Sequence, residues 1–288
     1  MLSFAVLGSG SSGNSTVVLL HGERADEKPI ALLIDAGLSP RATGRRLAEF
    51  GLVLADLSAI LITHFDGDHF VATWASVVEN LGLQVYAHHR HRRAAASALG
   101  SVRRVHLFRD SFQLDGMQGE ARTALAPHDE HGTVSYLLEN RGATLGFATD
   151  AGRITPDVLD LLCGAHGLAI ESNYDPEMQR QSRRPASLKR RIMGGLGHLS
   201  NVQSLEAVLE ISCRVSLQHI AALHLSRQCN EPGLITAMYA REAPPLLEKL
   251  TVTSQFHSTP LLHVKPELNG HANGDGAYVR PGGQHVLF

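Results

Sequence analysis

Short apolar runs separated by turn-forming residues dominate the first part of the chain. Residues 2–7, 16–20 and 30–34 are apolar or β-branched and are bounded by the Gly- and Ser-rich stretch 8–14 and by 22–29, a pattern that predicts three strands joined by turns. Ser39-Pro40 then offers a cap followed by proline at the first helical position, so a helix is expected to run toward Phe50 and to stop at Gly51. Strand and helix alternate beyond it: strand 57–63, helix 70–80, strand 84–87, helix 88–99. Residues 105–148 read mainly as strands, among them 121–126 and 143–148. From Pro156 onward helices return, interrupted by apolar strands at 168–171 and 219–223. Strand-rich halves interleaved with helices predict two sheets packed face to face with helices outside.

The polar residues that follow these runs turn a scaffold into a candidate site. In Thr63-His64-Phe65-Asp66-Gly67-Asp68-His69, four metal-ligating side chains fall within six residues directly after a strand. Crowded carboxylates and imidazoles repel or desolvate one another unless a divalent cation converts that cost into coordination energy. The plain alternative is a polar turn that caps the strand and starts the next helix. Other His and Asp residues occupy the same kind of position: Asp35 after 30–34, His128 after 121–126, Asp150 after 143–148 and His224 after 219–223. That recurrence separates a metal centre from chance in a chain with 17 histidines.

The HxDxDH spacing of residues 64–69 resembles the HxHxDH signature of the metallo-β-lactamase superfamily, with Asp66 where a histidine is usual. Residues 7–15 (LGSGSSGNS), 33–37 (LIDAG), 171–175 (ESNYD), 188–192 (LKRRI), 197–201 (GHLSN) and 224–226 (HLS) are similar to the WalJ (YycJ) branch, over about residues 1–230. The resemblance implies an α/β fold, the αββα four-layer sandwich, whose strand ends meet along one edge. It also implies two divalent metal ions, one held by His64, Asp66 and His128, the other by Asp68, His69 and His224, with Asp150 bridging. Asp35 would stand behind the ligands and orient them. The nucleophile would be a hydroxide between the two ions. The catalytic residues would be Asp68, Asp150 and His198, the last contacting the scissile phosphate or protonating the leaving oxygen. As a strand-edge ligand outside the core, His69 is expected to be dispensable for folding.

Members of this branch are regarded as metal-dependent DNA exonucleases or phosphodiesterases, so the implied partner is nucleic acid, DNA first. Because a fold does not fix a substrate, a hydrolase of a small ester, lactone, thioester or cyclic phosphodiester is an alternative. A second alternative comes from Asp66, which could leave a metal- or nucleic-acid-binding protein without turnover. A carboxylate is harder than imidazole and carries charge, so the metal is open between Zn, Mn and Fe.

Bulk properties change the picture less. A chain of 288 residues, 43% hydrophobic, can bury one large core, and residues 1–265 are expected to form one domain. The Gly-containing tail 266–288 is either disordered or an arm against a neighbouring subunit. A net charge of −2 gives no global attraction to a polyanion, so phosphate binding would depend on local clusters. Arg180, Arg183, Arg184, Lys189, Arg190 and Arg191 form one and residues 88–93 another, each either a solvated helix face or a phosphate-binding surface. Lys189 and Arg190, with Asn173, Ser200 and Asn201, are candidate substrate contacts. Ser200 could equally cap a helix over 202–211, and Asn173 the helix that follows it.

Three cysteines without a CxxC pair suit a reducing compartment. There is no leader-like N-terminus and no run near the roughly 18 to 20 apolar residues that span a bilayer, so a cytoplasmic protein without membrane contact is expected. Gly8-Ser9-Gly10-Ser11-Ser12-Gly13 fits GxGxxG, with Asp35 at a suitable distance. No crossover helix fits between them, since 15–20 is apolar without helical period, so a tight turn near the active edge is the better account.

Overall fold

Residues 1–24 and 26–267 are described by the computed structural model, and their strands fall into two seven-stranded sheets. In chain order these are β1 (Leu2–Gly8), β2 (Ser15–Leu20), β3 (Ile30–Ile34), β4 (Leu57–Leu61), β5 (Gln84–His88), β6 (Val105–Phe108) and β7 (Ser111–Phe112). There follow β8 (Ala121–Ala126), β9 (Thr133–Asn140), β10 (Ala143–Ala148), β11 (Gly167–Glu171), β12 (His219–Leu223), β13 (Leu250–Val252) and β14 (Leu262–Val264). One sheet has the order β14-β1-β2-β3-β4-β5-β6 and the other β13-β12-β11-β10-β9-β8-β7.

Both sheets follow one plan. From β14 to β3 every pairing is antiparallel, and from β3 to β6 every pairing is parallel. The second sheet repeats this, antiparallel from β7 to β10 and parallel from β10 to β13. Parallel neighbours need crossover connections, and these are the helices. Helices α1 (Pro40–Leu47), α2 (Trp74–Leu81) and α3 (Arg92–Leu99) serve the first sheet. Helix α4 (Pro156–Leu162) joins β10 to β11, and α5 (Pro176–Gln181), α6 (Ala186–Arg191) and α7 (Asn201–Ser212) lie between β11 and β12. Helices α8 (Pro232–Glu242) and α9 (Pro244–Leu247) lead to β13.

Alternation along the strands sorts the side chains into layers. Leu2, Phe4, Val6 and Val18 face Tyr136, Leu138, Leu145 and Phe147 between the sheets. Their neighbours Ala5, Leu7, Val17 and Leu33 face outward to Trp74, Val78 and Leu99 of the helical layer. On the far side Leu168, Ile170 and Ile220 pack against Val158, Leu162, Leu205 and Ile235. Each such side chain, fully buried, contributes about 1.5–3 kcal/mol, so a one-residue slip in register would forfeit many of them together. The result is the expected αββα four-layer sandwich.

Some boundaries differ from expectation. Helix α2 begins at Trp74 rather than Phe70, because Phe70 bridges Ala36 and the Val71 amide donates to the Ala36 carbonyl at 2.9 Å. That tether holds residues 70–71 extended. Strand β5 continues through His88 into a 3₁₀ turn at His89–His91, which delays α3 to Arg92. Strands β13 and β14, three residues each, carry too short a pattern to be read beforehand. The tail expected over 266–288 lies outside the described residues from residue 268 on. Among the described residues no helix is long and apolar enough to cross a membrane.

Candidate metal centre

The loops that follow the parallel strands of both sheets, together with the loop after β8, converge on one edge of the sandwich. Asp35 follows β3, residues 64–69 follow β4, Asp150 follows β10, Glu171 ends β11 and His224 follows β12. Three of these take left-handed backbone conformations without being glycine: Asp35 at φ 59°, Asp150 at φ 49° and His224 at φ 56°. Such a conformation costs about 1–3 kcal/mol per residue and persists only where surroundings enforce it. For Asp35 the enforcement is visible, since its carboxylate accepts from the Thr63 amide at 2.8 Å and from the Thr63 hydroxyl at 2.9 and 3.0 Å.

The approach of the loops also explains the glycine-rich opening. Asn14 accepts from the Gly10 amide at 2.8 Å, and its amide nitrogen lies 3.0 Å from His69 Nε2. Residues 8–14 therefore form the tight turn expected near this edge. Gly37 passes so close that a Cβ there would lie 1.7 Å from the Asp68 carbonyl oxygen, which forbids any side chain.

His69 sits at the middle of the cluster. Its Nδ1 is 2.7 Å from Asp35 Oδ2 and its Nε2 is 2.6 Å from Asp150 Oδ2. His224 Nδ1 lies 2.8 Å from Asp150 Oδ1 and 3.1 Å from Glu171 Oε1, while its Nε2 is 3.5 Å from Asp68 Oδ2. His198 Nδ1 faces the same two acids, 2.8 Å from Glu171 and 3.0 Å from Asp150. His128 Nδ1 donates to the Gly197 carbonyl at 2.8 Å, and His64 Nε2 is 3.7 Å from Asp66 Oδ2. Ligand-capable atoms gather in overlapping sets: His64, Asp66 and His128; Asp68, His69 and His224; His64, His69 and Asp150; and Asp150, Glu171, His198 and His224.

These residues suit divalent cations. His224 Nε2 is buried without a hydrogen-bond partner while its Nδ1 faces acids, so a cation that displaced the Nε2 proton would satisfy the atom. Asp66 differs from the others in being 56% exposed at its side chain, beside a His64 that is buried.

Charge is distributed unevenly. Burial opposes protonation of His69, but the carboxylates of Asp150 and Asp35 outweigh it and raise its pKa to about 10. Burial is likewise outweighed at His198, where Glu171 and hydrogen bonds to Asp150 and Glu171 raise the pKa to about 9. His224 is held well above the ordinary imidazole value, with Asp150 again overcoming burial. His64 goes the other way, pushed well below by burial and by the charge on His69, so its lone pair is available at neutral pH. Asp150 is held well below the carboxylate range because His224 and His69 outweigh its burial.

These shifts predict opposed pH trends. The folded-state pKa of His69, about 10, lies above the ordinary 6.5, so its stabilising contribution is complete below about pH 6.5 and is lost as pH rises through 10. His198 adds the same sign up to about pH 9. Cation binding needs unprotonated imidazoles, so the stabilisation a metal confers should grow over the same window. Thermal melts from pH 6.5 to 10 should show Tm falling in chelator while the gap to metal-loaded protein widens. A chelated protein with flat or rising Tm would contradict the charge assignment.

Several residues stand differently from the sequence expectation. His69 is fully buried between two acids and so is part of the packed structure, not a dispensable edge residue. Ser200 caps α7, accepting from the Gln203 amide at 3.2 Å, and Asn201 is buried in hydrogen bonds with Ser172 and Asn230; neither lines the cleft as a substrate contact. Lys189 donates to the Arg180 carbonyl at 2.6 Å, and neither it nor Arg190 lines the cleft of about 500 Å³ above the cluster. Arg184 and Arg191 do, from the same basic segment. Asn173 lines it too, with its amide donating to the His224 carbonyl at 2.6 Å. Asp35 Oδ2 lies 2.7 Å from His69 Nδ1, on the opposite ring nitrogen from the one that faces Asp150. Glu171 was missed as a site residue, although an acid closing a fully buried strand was the available signal.

Comparison with known proteins agrees with this geometry. Residues 31–220 match the Beta-lactamase superfamily domain family. The chain is 32% identical over 233 residues to "Exodeoxyribonuclease YycJ" of Bacillus anthracis, covering 80% of this chain and 84% of that protein. It is 30% identical over 232 residues to "Exodeoxyribonuclease WalJ" of Streptococcus pneumoniae, covering 79% and 82%. Among solved structures, Zn(2+)-bound PqqB from Methylobacterium extorquens superposes with a TM-score of 0.63 over 90% of this chain and 99% of that one, at 18% identity, a likeness of fold. Two mixed sheets between helical layers, with His and Asp side chains gathered at their common edge, place this chain in the metallo-β-lactamase superfamily, within the WalJ (YycJ) branch.

Proposed function

We propose that this protein is a metal-dependent phosphodiesterase that hydrolyses DNA as an exonuclease. The observation that supports the reading is the gathering of overlapping ligand-capable sets at one edge, linked by shared His64, His69, Asp150 and His224, with His224 Nε2 buried and without a hydrogen-bond partner. The relatives named exodeoxyribonucleases supply the substrate class.

His64, Asp66 and His128 would hold one divalent cation and Asp68, His69 and His224 a second, with Asp150 between. Bound there, such cations lower the pKa of water to produce a nucleophile at neutral pH and offset charge on the phosphoryl oxygens. Asp35 fixes the His69 ring through Nδ1 and so directs Nε2 toward the centre. Glu171 does the same for His198 and His224 together, its Oε1 facing both Nδ1 atoms. His198 lines the cleft with its Nδ1 held 2.8 Å from Glu171 and 3.0 Å from Asp150, and in this reading it would contact the scissile phosphate or protonate the departing oxygen. Arg184 is held by neutral partners, Gln179 at 3.1 Å, Ser226 at 3.1 Å and Gln228 at 3.3 Å, which leaves its charge for a backbone phosphate. Residues 1–265 act as one domain in this reading, and three unpaired cysteines fit a cytoplasmic setting.

The test offers end-labelled DNA and a small phosphodiester to protein loaded separately with Mn²⁺ and Zn²⁺. Stepwise digestion of DNA supports the reading. Cleavage of the small ester alone would make the protein a small-molecule hydrolase, and DNA binding without products would make it a binding protein. Asp66→His tests the first ligand set. A nitrogen ligand in place of an exposed carboxylate should raise the Zn²⁺ retained after dialysis, and unchanged metal content would remove Asp66 from the ligand set.

A further inference from the structure

The loop after β13, next to the turn whose Ser11 lines the cleft, carries an aromatic ring that the buried core does not use. Phe256 is 60% exposed and belongs to none of the buried clusters. It stands on a fixed loop. Its amide donates to Ser254 Oγ at 3.1 Å, its carbonyl accepts from Arg46 Nη2 at 3.3 Å, and the same Arg46 nitrogen donates to the Gln255 carbonyl at 3.1 Å. Gln255 in turn accepts from the Ser12 amide at 2.9 Å and donates to the Gly13 carbonyl at 2.8 Å, which ties the loop to the turn whose Ser11 lines the cleft. One face of the ring is covered by Arg227, whose guanidinium carbon lies 5.2 Å from the ring centroid. Arg227 stands between Ser226 and Gln228, both of which line the cleft and hold Arg184.

An isolated exposed phenylalanine is ordinary. A ring on a tethered loop, linked to the cleft lining through Gln255 and the 8–14 turn on one side and through Arg227 on the other, and backed by a cation adjacent in sequence to both Ser226 and Gln228, has the make-up of a base-stacking platform. We infer that Phe256 stacks one unpaired nucleobase of the substrate strand against its free face, with Arg227 behind the ring, while Arg184 takes a backbone phosphate of the same strand. The inference rests on the DNA reading above and adds to it a substrate feature: a strand end with at least one nucleotide out of the duplex stack. Because an exposed π-face accepts any base, the platform confers no sequence preference.

Single-stranded oligonucleotides bearing one abasic nucleotide, moved position by position from the end, test it on the metal-loaded protein. The wild type should show KM raised about tenfold at one position, the size of a lost base–aromatic stack. Phe256→Ala should show that higher KM on the intact oligonucleotide and no further rise at any abasic position. Phe256→Trp should restore both the low KM and the sensitivity, and thermal unfolding should be the same for all three because the ring is outside the core. Equal KM for wild type and Phe256→Ala, or a wild type indifferent to every abasic position, would overturn the platform while leaving the nuclease reading standing. A wild type that cleaves a small phosphodiester and leaves the oligonucleotide intact would overturn the nuclease reading and this one with it.

Discussion

Asp150→Asn should lower kcat/KM on DNA by about a thousandfold or more with the fold intact. The Asp150 carboxylate lies 2.6 Å from His69, 2.8 Å from His224 and 3.0 Å from His198, so it touches two of the proposed ligands and the proposed acid. An amide of the same shape keeps the packing and tolerates the left-handed backbone at this position, so the variant isolates the loss of charge. Loss of one cation's contribution to a phosphoryl transition state is worth several kcal/mol, and about 4 kcal/mol corresponds to a thousandfold. Steady-state kinetics, metal content and circular dichroism on the same preparation would check it. Activity within tenfold of the wild type would mean that Asp150 does not stand between two ions.

The second large effect concerns stability. His69→Ala should cost about 3–5 kcal/mol in the metal-free protein, because it removes the one cationic group between the buried carboxylates of Asp35 and Asp150. For a protein of this size that is a fall in Tm of roughly 10 °C. Adding Asp35→Asn should restore part of the loss, since it removes one of the two acids left facing each other, and this non-additivity separates an electrostatic cause from a cavity. Full stability in His69→Ala would show that the cluster contributes nothing to folding.

Much of this architecture could be read from short apolar runs, and the repeated placement of an acid or imidazole directly after such a run points to one shared edge, where a single one would suit a polar turn. That logic located Asp35, His128, Asp150 and His224, and applied to β11 it would also have found Glu171. The basic segment resisted the same treatment for a geometric reason. On a helix, Leu188 and Arg191 share a face at a spacing of three, and both line the cleft, whereas Lys189 and Arg190 are rotated away. Composition reveals the cluster but not which face turns inward, since that is set by the π-turn at Ile192–Leu196, with Gly195 at φ 79°, that ends α6. The helix boundary at Trp74 was hidden likewise, because the contact of Phe70 with Ala36 joins segments 34 positions apart.

The pairing of β14 with β1 has a consequence for biosynthesis. Leu2, Ser3 and Phe4 find their outer partners only in Val264, His263 and Leu262, so the amide edge of the first-made sheet stays open while the ribosome adds some 260 residues. Chains truncated before that point would present an apolar, hydrogen-bond-hungry ribbon to one another, and released chains ending before residue 262 should aggregate more than ones that include β14.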